Sequence, residues 1–455
     1  MKLINHIIFV ELENSHKLII NSLFGLVDKI DEFTFNIIRK WRSCAEIVPS
    51  NEVEAKLFHK LKARNYLIGS HEEESAKKAQ ILRNLHEYHK FNKNHSQLTL
   101  VLTYECNFNC SYCFENEVIS RKSADSSNGK SLGKMIRMTP EVVDAAFELI
   151  GPKVNTVCFF GGEPLLQSNK AIIEYVFKRF PEKKYRIITN GYYLVDYTDL
   201  LATVNIVDIM VTIDGCEKTH NDRRKLISGA PTYAKIIEGI RACLEVGIPI
   251  CIRINLDVSN INESNMLKEN LIKQFSAYKD LLSFEVVPLK GLSTEDKNEV
   301  YSHLYTNYIK YSAQERIQMN RAMNTFSPIV NAVVHSGKLK PVYSYCYAHE
   351  DGFVVDPYGY IFPCLMTVGK NELAIGKVYP EIDLYDISIR NRNIDTIPEC
   401  RECKYSLLCG GGCPEKLECY ENVLSPMCMN IRYQVHELLP ILFSINDAHE
   451  TGQSK

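Results

Sequence analysis

Between residues 98 and 289, six short apolar runs alternate with stretches of helical periodicity, and this alternation constrains the fold more than any other feature. The runs are 98–104, 156–160, 185–189, 207–213, 249–256 and 282–289, and the helical stretches cover 140–150, 170–180, 197–204, 233–246 and 263–278. Short continuous apolar strands that alternate with helices form parallel sheets with the helices outside. Six strands are too few to close as an eight-stranded barrel, so the expectation is an α/β fold built on a partial (β/α)6 barrel. Chemistry in such folds sits in the loops that follow the strands.

Those loops carry distinctive residues. The first run leads into Cys106-Asn-Phe-Asn-Cys110-Ser-Tyr-Cys113. Zinc sites usually take four ligands in two pairs, whereas a [4Fe–4S] cube has four irons to ligate, commonly by thiolates. Three thiolates leave one iron for an exogenous ligand; a zinc site completed from elsewhere, or buried thiols, are the alternatives at this point. The second run ends in Phe160-Gly161-Gly162-Glu163-Pro164. Glycines let backbone come close to a ligand, and a carboxylate accepts from an ammonium group. The third ends in Thr189-Asn190-Gly191 and the fourth in Thr212-Ile213-Asp214-Gly215, with His220-Asn221-Asp222-Arg223-Arg224 following. Arg253, inside the fifth run, suits either a ligand carboxylate or one of the core.

Taken in order, these motifs resemble those of the radical S-adenosylmethionine (SAM) superfamily. The resemblance implies that Cys106, Cys110 and Cys113, with Tyr112 beside them, hold a [4Fe–4S] cluster whose open iron SAM chelates. An electron then cleaves SAM, and a 5′-deoxyadenosyl radical removes a substrate hydrogen. It also implies that Gly161, Gly162 and Glu163 hold the SAM amino group, while Asn190, Thr212 and Asp214 lie around its ribose and carboxylate; Arg224, in a stretch close to the family's His-Asp-x-x-Arg with one residue altered, and Arg253 are further candidates for binding SAM.

Past Pro341 a second cysteine field opens. Cys346 is followed by Gly359 and Cys364, then by Cys400-x2-Cys403-x5-Cys409-Gly-Gly-Gly-Cys413, and finally Cys428. A zinc ribbon accounts for four such thiols but not for seven. The order resembles the SPASM extension of peptide-modifying radical SAM proteins, which implies two auxiliary [4Fe–4S] clusters and three in all. Cys400, Cys403, Cys409 and Cys428 would hold the distal one, and Cys346, Cys364 and Cys413 the nearer one. Its fourth position falls to Cys419 or stays open to substrate. Cys44, Cys158, Cys216, Cys243 and Cys251 read as small core residues.

The 455 residues suggest about three domains. A net charge of −2 supplies no basic field for nucleic acid. No apolar run approaches the roughly 18 residues of a membrane span, and the N-terminus is too quickly charged for a signal peptide. Sixteen cysteines in a chain that reads as cytoplasmic point to metal rather than disulfides. Residues 1–95 read as short strands followed by helices at 33–41 and 52–65 and a charged linker helix at 72–92. This unit resembles the winged-helix-like leader-recognition domain of peptide-modifying radical SAM enzymes; a DNA-binding winged helix is its rival. The expected organisation is 1–95 leader recognition and linker helix, 96–295 partial barrel, 296–340 helical bridge, 341–435 auxiliary-cluster domain and 436–455 tail. Residues 123–137 read as a loop near the site.

The resemblance as a whole implies a maturase of a ribosomally made precursor peptide, with ferredoxin or flavodoxin as electron donor and a cysteine thioether as product. Carbon–carbon cross-linking and epimerisation are the alternatives within the class. Sulfatase-type maturation fits less well, because Leu365 stands where that subfamily has an Asp after the cysteine matching Cys364. An iron–sulfur or zinc winged-helix regulator is the alternative outside it.

Overall fold

In the computed structural model, residues 1–12, 15–91, 97–115, 137–310, 339–346, 348, 352–385, 388–413 and 425–450 are described. The expected loop at 123–137 except Arg137, most of the 296–340 bridge, the end of the tail and Cys419 lie outside them.

The N-terminal unit begins with β1 (Lys2–Leu3), β2 (Ile7–Glu11), β3 (His16–Asn21) and β4 (Leu26–Asp31), followed by α1 (Glu32–Trp41) and α2 (Glu52–Ala63). Both helices are capped from their own sequence: Asp31 accepts from the Thr34 N–H at 2.7 Å and Asn51 from the Glu54 N–H at 2.9 Å. β5 (Leu67–Ile68) pairs with β1, and α3 (His71–Phe91) follows. The antiparallel sheet runs β2-β3-β4, which leaves β4 at an edge. One face of β2 and β3 packs with Leu339, Leu408, Ile431 and Val435. The other shares a core with α1, α2 and Ile394, Ile397, Cys400 and Leu407. This unit therefore rests on the second cysteine field.

Six parallel strands follow: β6 (Gln97–Val101), β7 (Thr156–Phe160), β8 (Lys184–Thr189), β9 (Asn205–Thr212), β10 (Ile250–Leu256) and β11 (Leu282–Pro288). Between them lie α4 (Pro140–Leu149), α5 (Lys170–Arg179), α6 (Leu194–Leu201), α7 (Glu217–Arg223), α8 (Tyr233–Glu245) and α9 (Ser264–Gln274), with α10 (Thr294–Lys310) after them. They lie side by side in chain order. With right-handed crossovers, that order puts the helices on one face, as in a barrel wall. Leu98, Leu100, Val157, Phe159, Ile187, Ile209, Ile252 and Ile254 point to that face and form the main core.

The opposite face departs from the expectation of apolar strands throughout. Side chains alternate along a strand, and here they place Thr99, Cys158, Arg186, Asp208, Arg253 and Glu285 on the inner surface. Arg186 binds Asp208 through two hydrogen bonds of 2.6 and 3.0 Å. An unclosed barrel wall has an inner surface to which a polar substrate can come, and this one is polar.

The sheet also does not end at β6. β12 (Phe353–Val355) pairs with β6 in parallel, and β13 (Tyr360–Phe362), β14 (Gly376–Lys377) and β15 (Asp383–Leu384) continue it as antiparallel strands. The barrel sheet thus passes without a break into the second cysteine field. Short helices α11 (Pro398–Arg401), α12 (Ser406–Cys409) and α13 (Met429–Tyr433), then α14 (Leu439–Glu450), complete the order.

Candidate active site

The first cysteine loop leaves the C-terminal end of β6. The Asn109 N–H donates to the Lys225 carbonyl and the Ile227 N–H to the Asn107 carbonyl, each at 3.0 Å, so residues 225–227 support the loop. The Cys106 sulfur accepts from the Phe108 N–H at 3.4 Å. Burial pushes the Cys106 thiol up to about 12, with Glu163, Cys110 and Cys113 adding to the effect. Cys110 and Cys113 are also raised by burial, and Arg224 opposes the rise at both. Buried thiols that resist ionisation alone suit a cationic partner, since a coordinated thiol loses its proton.

Gly161 and Gly162 let two stretches of backbone approach closely. A Cβ on Gly162 would stand 2.4 Å from the Glu105 carbonyl oxygen and 2.6 Å from that of Tyr104, and one on Gly161 would meet the Thr103 oxygen at 2.2 Å. The Gly162 N–H donates to the Thr103 carbonyl at 2.9 Å and the Glu163 N–H to that of Glu105 at 2.8 Å. The missing side chains admit the stem of the cysteine loop. Glu163 is also largely engaged. One carboxylate oxygen accepts from the Thr189 hydroxyl at 2.6 Å and the Leu165 N–H at 2.8 Å, the other from the Asn190 N–H at 2.8 Å. Burial raises its pKa, and those three donors act against the rise. Of about four acceptor positions on a carboxylate, one remains.

Asn190 donates to Asn107 Oδ1 at 2.8 Å and accepts from the Tyr192 N–H at 2.9 Å, which ties the loop after β8 to the cysteine loop. Thr212 is buried at the end of β9, in register with Arg253. Asp214 has no exposed surface. Its carboxylate accepts from the Tyr112 hydroxyl and from Asn255 (N–H at 3.2 Å, Nδ2 at 3.3 Å), with Arg223 Nε at 3.5 Å. Asp214 thereby ties the cysteine loop, β10 and α7 to the end of β9. Arg224 donates to the Tyr112 hydroxyl at 2.7 Å, and the Arg223 guanidinium lies 5.2 Å from the centre of the Tyr112 ring.

The altered His220–Arg224 stretch divides its tasks. His220 is wholly buried, contacts the Thr232 hydroxyl at 3.1 Å and is pushed down to about 3, chiefly by burial and then by the two arginines. Asn221 caps α8 through the N–H groups of Thr232 and Tyr233. Arg223, which sequence reasoning passed over, binds Asp257 at 2.7 Å. Arg253 meets Glu285, its neighbour on the inner wall, at 3.4 Å.

Four buried nitrogens around this loop, Arg223 Nε and Nη2, Arg224 Nε and Asn107 Nδ2, have no hydrogen-bond partner. Donors left over beside three buried thiols fit an anionic cluster and a carboxylate-bearing ligand. Among the described residues no three His, Cys, Asp or Glu side chains converge as closely as the ligands of a single metal ion. The ligands of a cube bind different irons and stand further apart.

The second field separates into two sets. Cys400, Cys403, Cys409 and Cys428, the four assigned to one cluster, jointly line one small cavity, together with Tyr405 and Gly411. Burial pushes Cys400 up to about 11 and Cys409 up to about 12, with other thiols of the set contributing. Cys346 is likewise raised to about 12 by burial, with Cys364 and Cys413 adding to the effect. Between the sets runs Gly410-Gly411-Gly412, all with positive φ (64°, 87° and 77°), a conformation that side chains rarely adopt. Arg392, which nothing in the cysteine spacing announces, lies against this turn.

Residues 100–261 match the Radical SAM superfamily model. That segment is a radical SAM domain. The chain is 24% identical over 249 residues to molybdenum cofactor biosynthesis protein 1 of Dictyostelium discoideum, across 52% of this chain and 37% of that protein. It is 26% identical over 286 residues to the GTP 3′,8-cyclase of Listeria welshimeri, across 61% of this chain and 81% of that one. The chain thus spans little more than a third of the Dictyostelium relative. Its fold is shared with anSMEcpe bound to AdoMet and a Cp18Cys peptide, at a TM-score of 0.53 and 18% identity, covering 77% of this chain and 99% of that one. No helix among the described residues is long and apolar enough to cross a membrane.

Proposed function

We propose that this protein is a radical SAM peptide maturase with one SAM-binding and two auxiliary [4Fe–4S] clusters, acting on a ribosomally made precursor to form a cysteine thioether. The observation that carries the reading is the cavity lined jointly by Cys400, Cys403, Cys409 and Cys428, on a chain whose barrel already presents Cys106, Cys110 and Cys113. When bound, SAM and its cluster supply a hydrogen-abstracting 5′-deoxyadenosyl radical, and the auxiliary clusters an electron sink. The chain's own residues do the rest. Arg223 and Arg224 bring positive charge to the cysteine loop, Asp214 and Tyr112 lock that loop to β9 and β10, and Glu163 joins the ends of β7 and β8. The polar inner wall, with Arg186, Asp208, Arg253 and Glu285, receives the peptide segment to be modified.

A precursor leader has a matching place at the N-terminal unit. The edge of β4 borders a groove whose lining includes Asp28, Ile30, Leu57, Lys60 and Arg64. An extended peptide can add to such an edge as a further strand, with side-chain pockets giving selectivity. The peptide bound to anSMEcpe supports a peptide substrate for a chain of this fold.

The test is reconstitution under reducing conditions with a Cys-containing candidate precursor peptide. Thioether formation removes two hydrogens, one from carbon and one from sulfur, with two electrons, and consumes one alkylatable thiol. Loss of two hydrogens with every thiol still alkylatable points to a carbon–carbon bond. Turnover of GTP in place of peptide, the activity named for the Listeria relative, overturns the reading.

A further inference from the structure

Arg392 has no exposed surface. Its guanidinium donates to the carbonyls of Gly411 at 2.6 Å, Gly412 at 2.7 Å and Ser425 at 2.9 Å. Gly411 and Gly412 belong to the turn that joins Cys409 of one set to Cys413 of the other. The turn has no slack: a Cβ on Gly411 would stand 2.6 Å from Ile397 and 3.2 Å from Arg392 Nη1, and one on Gly412 would stand 2.2 Å from the Met427 carbonyl. Burial works against this charge, and Cys400, Cys409, Cys413 and Cys346, drawn from both sets, favour it. Arginine stays protonated in proteins, and a buried charge persists where opposite charge compensates it. Carbonyl dipoles provide part of that compensation. Thiolates of two ligand sets on either side provide the remainder once clusters are in place.

We propose that Arg392 is a positioning residue shared by both auxiliary centres, holding the glycine turn between their ligand sets while its fixed charge raises the reduction potential of each. The inference rests on the reading that both cysteine sets carry clusters. A thiolate-ligated cluster becomes more negative on reduction, and hydrogen bonding and net charge nearby set its potential. A cation held in a medium of low dielectric favours the reduced form.

The experiment uses the Cys106→Ala, Cys110→Ala, Cys113→Ala background, so that only auxiliary clusters contribute. Arg392→Gln and Arg392→Lys are reconstituted in it, iron is counted, and both midpoints are followed by EPR during a redox titration. The Gln variant is expected to shift both midpoints to more negative potential, and the Lys variant to stay near the parent. Unchanged midpoints in the Gln variant, a shift in one cluster alone, or equal shifts in both variants overturns the proposal; the last is what a purely structural role produces. Should the Gln variant lose its clusters, the Lys variant decides: retained iron and midpoints support the proposal, and loss of iron there too rejects it. Absence of auxiliary iron in the parent background would instead reject the reading of the cysteines themselves.

Discussion

Gly162→Ala tests the close approach of β7 to the cysteine loop. The added methyl would stand 2.4 Å from the Glu105 carbonyl oxygen, whereas ordinary contact begins at 3.4 Å, so the difference, 1.0 Å, must be met by backbone movement. Gly162 does not have a positive φ, so the penalty is steric rather than torsional. Overpacking of this kind costs about 1–3 kcal/mol. The bonds from the Gly162 and Glu163 N–H groups to Thr103 and Glu105 contribute ~0.5–1.5 kcal/mol each, so a destabilisation of about 2–6 kcal/mol is expected. The movement falls on the stem that carries Cys106, and a misplacement of ~1 Å can reduce a rate on the order of 100-fold. The assay is 5′-deoxyadenosine release under dithionite by liquid chromatography, paired with a melting scan. Gly247→Ala is the control: φ is +81° there and nothing lies within 4 Å of its Cβ, so it meets torsional strain without a clash. A Gly162→Ala protein that melts with the parent and cleaves SAM within about twofold would refute the argument.

Replacing Cys106, Cys110 and Cys113 together by Ala should abolish 5′-deoxyadenosine formation while auxiliary iron and its visible absorption remain; continued SAM cleavage would disprove the assignment of that loop. Removal of residues 1–90 is no clean test of leader docking, because Ile394, Ile397 and Leu407 share their core. Leu57→Ser in the groove should instead weaken precursor binding about tenfold, or ~1.4 kcal/mol, and spare precursor-independent SAM cleavage, as read by calorimetry and chromatography. Although burial raises the Asp257 carboxyl, hydrogen bonds from Ser259 and Arg223 hold it below its ordinary 3.8. A carboxyl lowered in the folded state contributes stability above its unfolded pKa and loses it as pH falls through the folded one. Asp257→Asn should therefore be less stable than the parent near neutrality, with the gap closing below about pH 4 in urea titrations; a gap that does not depend on pH would exclude this linkage.

The six strands and their helices were legible because each is encoded locally, as a short apolar run or a helical stripe. The cysteine spacings were legible for the same reason: ligands on one loop lie close in sequence. What stayed hidden depends on distant contacts. The stretch Lys184–Thr189 reads as apolar, yet Arg186 finds Asp208 on the neighbouring strand and turns the inner wall polar. The donors that Thr189 and Asn190 give to Glu163, and Tyr112 and Asn255 to Asp214, come from other strands and loops and leave no mark in the local sequence. Arg392 stands among polar residues with no motif around it, and only the folded glycine turn gives it a role. The pairing of β12 with β6 joins residues some 250 positions apart, beyond the reach of any periodicity.

That pairing has a consequence for synthesis on the ribosome. β6 is translated early, yet its outer edge has no partner until Phe353–Val355 emerges. At about 5–20 residues per second, the interval is on the order of 10–50 s. Throughout it the strand beside the first cysteine loop offers unpaired amides and carbonyls to any neighbouring nascent chain. Slower elongation across residues 102–352 prolongs that exposure and so favours aggregation, whereas faster elongation shortens it. Codon choice in this interval is therefore expected to govern soluble yield more strongly than codon choice after residue 355.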